Sequence, residues 1–291
     1  MRISKTILWL SVFAALLVIA ASVAGIVMKG VYARETANAA MQAIGQDIVN
    51  LIAIAVLLIS AYALNKGSIK AYFVWSGTLL YLIYAYVIYA FDVHYNSLFL
   101  VYVAILGLSF YSLLGSVIQG KWGSLHANFS ANTPVKLVSV FLFALGVIFY
   151  LLWLREEVPA LVTGGIPASA IESNLPTNPV HVLDLAVYLP AILLTSVLLW
   201  QRHQIGYLLA GPILVFNTLI VTGILAIFVV TASNGIPTSI AIIVVFVIIM
   251  ATNLVLSILY IGSLRHQQGT LHMVATPRAV PAVPFTKLES R

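Results

Sequence analysis

The stretch IAIIVVFVII, residues 240–249, decides what kind of molecule this is. All ten residues are apolar, and nothing in the run alternates. A half-buried strand or a barrel stave would place polar residues at every second position. The apolar run extends over 238–263, long enough at 1.5 Å per residue to cross about 30 Å of hydrocarbon. Lipid offers backbone groups no partners, so such a run is read as a helix.

Working outward, seven further runs of this kind predict spans near 6–28, 45–64, 69–91, 97–118, 136–154, 180–200 and 206–231. The expected fold is an all-α, polytopic transmembrane bundle of eight spans, forming one domain over residues 1–264. Composition agrees. Hydrophobic residues make up 62% of the 291 and charged residues 8%, against about 25% charged in a soluble domain. There is no cysteine, which excludes disulfides, thiolate metal sites and cysteine nucleophiles.

The basic residues set an expected direction. With the N-terminus in the cytoplasm, eleven Lys and Arg fall inside and three (Lys29, Arg34, Arg155) fall outside. That asymmetry places both termini inside, and the expected location is the plasma, or inner, membrane. MRISK, an apolar stretch and ASVAG also resemble a cleavable signal peptide. The apolar run reaches Met28, long for a signal core, so it is read as a retained first span. The outer loop 155–179 is turn-rich, with GG, IP, LP and NP. The inner loop 119–135 is polar and offers a surface for membrane-protein partners. The NFS at 128–130 lies on this inner side and is read as a chance glycosylation pattern. Residues 265–291 are expected to form a mobile basic cytoplasmic tail.

The few polar groups within the spans direct attention to HVLDLAVYLP, residues 181–190. Asn178 can cap this helix and Pro179 suits its first position. At 100° per residue His181, Asp184, Tyr188 and Thr195 fall within about 60° of one another. A polar stripe facing lipid would cost several kcal/mol, so this face is expected to look inward. Asp47 and Asn50 open the second span, and Asp92 and His94 close the third. The candidate ligand- or ion-binding residues are therefore Asp47, Asn50, Asp92, His94, His181, Asp184 and Tyr188, all near the outer rim. Tyr81 and Tyr84 sit too deep for an interfacial belt and need hydroxyl partners, in a cavity or on backbone carbonyls. Ser109, Ser112 and Ser116 read as helix-packing residues, and Asn217 and Asn253 as interhelical hydrogen-bonding residues.

Three functional classes fit. The first is binding or translocation of a small solute or ion drawn in by outer acids. The second is a metal-dependent membrane enzyme in which His94, His181 and Asp184 hold a divalent metal ion as cofactor. The third is a non-catalytic subunit or sensor. No GxxxxGKS, GxSxG or HExxH occurs, and no basic run with interleaved aromatics points to nucleic acid. The first class is the leading expectation, with the lipid bilayer as the constant partner.

Overall fold

The computed structural model describes residues 3–120, 122 and 128–264. The expected tail 265–291 and the middle of the inner loop lie outside the described residues. Among the described residues, eight helices are long and apolar enough to cross a membrane. They are α1 (Lys5–Val27), α2 (Ala37–Asn65), α3 (Ile69–Phe91), α4 (Phe99–Gln119) and α5 (Val135–Thr163), then a composite sixth span, α9 (Gln204–Ser233) and α10 (Ile240–Gly262). The sixth span joins α7 (Pro179–Leu183), a π turn (Asp184–Tyr188) and α8 (Leu189–Trp200). A short α6 (Ala168–Glu172) sits in the preceding connection.

Side-chain caps fix several helix starts. Ser4, Thr36 and Ser68 each accept from the amide three residues on, and Asn178 accepts from Val180 and His181. Two helices exceed their expected limits by eight residues or more at one end. α2 begins at Ala37 rather than 45, and α5 ends at Thr163 rather than 154. The hydropathy window closes where hydrocarbon ends, but a capped helix continues into the headgroup region. The segment 155–163, expected to be loop, is thus helical despite Pro159. It stops at Gly164, which takes a left-handed φ of 69°. Gly165 then donates back to the Ala160 carbonyl.

The helices form two groups of four. α1, α2, α3 and α4 close a ring in which each touches the next, and α4 returns to α1. In the second group α5 packs on α8, α8 on α9 and α9 on α10. α9 also packs against α2 and α3 and so joins the groups. α3 is the most enclosed span, with Trp75, Leu79, Tyr81, Leu82 and Tyr86 fully buried. Large apolar side chains such as Trp9, Phe13, Leu151 and Ile248 stay exposed on the perimeter, as a lipid-facing surface requires.

Hydrogen bonds between loops identify the two ends. At one, Arg34 donates to the Tyr95 carbonyl and Glu35 accepts from His94. This is the acidic end. At the other, Gln119 bonds Ser4, Lys70 donates to the Gly262 carbonyl, and the Ser130 amide donates to Ser263. This is the basic end.

Close crossings rest on glycine. A Cβ on Gly206 would lie 2.4 Å from the Leu199 amide nitrogen, where the turn between α8 and α9 is tightest. Backbone cannot move aside as a flexible side chain can. Gly206→Ala is expected to cost about 1–3 kcal/mol, read as a lower melting temperature in detergent.

Candidate functional site

Two buried carboxylates organise the polar groups. Asp47 on α2 is 1% exposed. Its Oδ2 accepts from the Tyr32 hydroxyl at 2.6 Å and its Oδ1 from the Tyr89 hydroxyl at 2.9 Å. Gly25 on α1 leaves room for this carboxylate, since a Cβ there would lie 2.0 Å from Oδ2. Burial first, then the charge of Asp47, hold the Tyr32 phenol above its usual pKa, so it remains a donor at neutral pH. One turn along α2, Asn50 Oδ1 accepts from Tyr81 at 2.8 Å and from Gln46 Nε2 at 3.3 Å.

The second carboxylate is Asp184, 4% exposed. Its Oδ1 accepts from Tyr84 at 2.9 Å and its Oδ2 from the Trp153 indole at 2.7 Å. His181 is buried beside it, stacked on Trp153 with ring centroids 4.3 Å apart. Its Nδ1 lies 2.6 Å from Glu157 Oε1. Tyr188 donates to Asn217 on α9.

Pro190 accounts for the π turn that carries Asp184. Proline has no N–H, and its ring crowds the carbonyl four residues back. The chain widens instead, and the Leu189 amide reaches back to the Asp184 carbonyl. The Leu185 carbonyl, which Pro190 cannot satisfy, accepts from the Tyr150 hydroxyl at 2.9 Å. A uniform 100° step therefore fails across this segment. Even so, His181, Asp184 and Thr195 are buried, and Tyr188 is half-buried.

Enclosed by α2, α3 and α9 lies a cavity of about 140 Å³ that neither carboxylate lines directly. Its walls are Gln42, Ala43 and Gln46 of α2, Tyr84, Ala85, Ile88 and Tyr89 of α3, and Ile220 and Ile227 of α9. Tyr84 and Tyr89 thus face the cavity and also hold Asp184 and Asp47. Glu35 and Asp92 line its mouth at the acidic end. His94 braces Glu35 twice, through its amide at 2.7 Å and its Nδ1 at 3.0 Å. Asp92 is pushed up to about 6, by burial first and then by the Glu35 charge, with His94 pulling the other way.

The candidate residues therefore divide. Asp47 and Asn50 belong to the α1–α4 ring. Asp92 and His94 stand at the mouth, and His181, Asp184 and Tyr188 line the second group. His94, His181 and Asp184 do not assemble as a metal ligand set. Each histidine is engaged by a different glutamate, and no three His, Asp or Glu among the described residues form a metal-binding group. No family model, curated protein or solved structure matches this chain. Function must come from the site itself.

Sequence reasoning missed Tyr32, Glu35, Glu157 and Trp153. The two glutamates counted only among the outer acids, and neither aromatic was singled out. Tyr81 and Tyr84 did find side-chain partners rather than carbonyls. Asn253 Nδ2 donates to the Leu214 carbonyl on α9 at 2.7 Å.

One electrostatic feature governs what the site can do. Neither Asp47 nor Asp184 touches a basic side chain. Among the described residues the ion pairs are His94–Glu35 and His181–Glu157. Neutral phenol and indole donors satisfy lone pairs but carry no compensating charge. An isolated ionised carboxylate in a low-dielectric interior is strongly unfavourable. A cation beside either carboxylate would supply the missing charge.

Proposed function

We propose that this protein binds a small cation, or a small cationic solute, in the cavity beside Asp184 and moves it across the membrane. The observation that carries this reading is a cavity entered past Glu35 and Asp92, whose lining phenols Tyr84 and Tyr89 hold two buried carboxylates that form no ion pair among the described residues. Acids at a narrow mouth concentrate cations by focusing the field. At about 30 Å³ per water, 140 Å³ holds four or five waters. That suits an ion with part of its hydration shell or a small amine, and not a ligand of drug size. The basic residues favour placing the acidic end outside and both termini in the cytoplasm of a plasma-membrane protein.

Purified protein in proteoliposomes tests this. Uptake of alkali cations and of small alkylamines is measured against protein-free vesicles. Cation-dependent accumulation supports the reading, and vesicles indistinguishable from empty ones overturn it.

The mouth supplies a pH prediction. Asp92 gains its proton as pH falls through about 6, and the mouth then loses one negative charge. Uptake is expected to fall across that window, and Asp92→Asn to flatten this part of the profile. Stability moves in the opposite sense. The folded chain keeps this proton to higher pH than the unfolded chain, so raising pH from about 4 to about 6 weakens the fold, a slope Asp92→Asn removes.

A further inference from the structure

We infer that the α1–α4 ring holds a second site, for a dehydrated monovalent metal cation of sodium size, with Asp47 as its anionic ligand. Ser22, Tyr86 and Tyr102, which would supply its other oxygens, do not line the cavity, and its case does not depend on transport. Three hydroxyl oxygens here are buried and, among the described residues, have no hydrogen-bond partner: Ser22 Oγ, Tyr86 OH and Tyr102 OH. They come from α1, α3 and α4, and each residue is no more than 2% exposed. Buried hydroxyls are nearly always satisfied, so a cluster of them calls for an occupant.

Position and charge point to the same occupant. Ser22 neighbours both Asp47 and Tyr86. The rings of Tyr86, Tyr89 and Tyr102 form one cluster, with centroids 5.1–6.0 Å apart. Tyr89 in turn donates to Asp47. Hydroxyl and carboxylate oxygens are ligands for hard cations. One carboxylate balances one positive charge, which favours a monovalent ion over a divalent one. Buried water would satisfy the hydroxyls but leave Asp47 uncompensated.

The test uses the full chain in detergent at constant ionic strength, exchanging choline chloride for sodium chloride. Wild type is expected to melt about 2–4 °C higher in sodium, because an ion that binds only the folded state stabilises it. Asp47→Asn should abolish the shift. Ser22→Ala, a change small enough to leave folding intact, should move its half-point to at least about threefold higher sodium. Asp184→Asn should keep the shift. Because Asp184→Asn is also the variant that silences the cavity, the two sites can fail separately. A wild-type melting temperature indifferent to sodium, or a shift that survives Asp47→Asn, overturns the inference. An equal response to potassium overturns the size assignment.

Discussion

Asp184→Asn is expected to reduce cation uptake by roughly 100-fold, about 2.8 kcal/mol at 1.4 kcal/mol per decade, while melting close to wild type. The two readouts separate charge from architecture. Two opposite charges about 4 Å apart in a partly screened protein site attract by about 4 kcal/mol, so losing the carboxylate charge accounts for the expected loss. The amide still offers one acceptor oxygen, enough for Trp153 or Tyr84 but not both. Interhelical hydrogen bonds in membranes average only about 0.6 kcal/mol. Removing an uncompensated buried charge offsets that cost. Asp184→Ala is different. It strands the Trp153 indole and the Tyr84 hydroxyl together, at about 1–3 kcal/mol, and should lower the melting temperature by several degrees as well as silencing uptake. A lower melting temperature in the alanine variant alone, with uptake retained in the amide, would make Asp184 a structural acceptor and nothing more.

The eight spans were legible because lipid permits few solutions. A run such as 240–249 cannot satisfy its backbone except as a helix, and α10 occupies Ile240–Gly262. What hydropathy could not mark was helix continuing beyond the hydrocarbon, as at 37–44 and 155–163. Those ends are set by Thr36 and Gly164, local devices outside the apolar window.

The site was legible in one respect only. The cost of exposing Asp184 or His181 to lipid turned them inward, and they are buried. Their partners could not be read. Tyr84 and Asp184 lie 100 residues apart, and Glu35 and His94 lie 59 apart. Such pairs follow from which helices touch, and a single sequence does not encode that contact in any local pattern. Grouping the acids and histidines at one depth suggested one cluster. Depth fixes only one coordinate, and around the bundle axis α3 stands between two clusters. Pro190 is visible in the sixth span, but whether the helix would kink or widen there depended on Tyr150 being in place to donate to the Leu185 carbonyl.

Gly25→Ala is the second large expected effect, and its sign runs against helix propensity. In an unconstrained helix, alanine is favoured over glycine by about 1 kcal/mol. Gly107, whose added Cβ would meet nothing within 4 Å, should show that gain or no change. At Gly25 the new methyl would lie 2.0 Å from Asp47 Oδ2 and 2.6 Å from the Tyr32 hydroxyl. Both atoms belong to one hydrogen bond, so neither can yield without breaking it. The carboxylate must leave its phenols or α1 must move off α2. The expected cost is about 1–3 kcal/mol in stability, with the sodium-dependent shift in melting lost. A double-mutant cycle locates the cause. In an Asp47→Ala background the methyl meets no carboxylate, so Gly25→Ala should then cost little, and the two changes should be far from additive. Strict additivity, or a Gly25→Ala protein that melts like Gly107→Ala, would mean that α1 does not enclose Asp47 as tightly as these distances require.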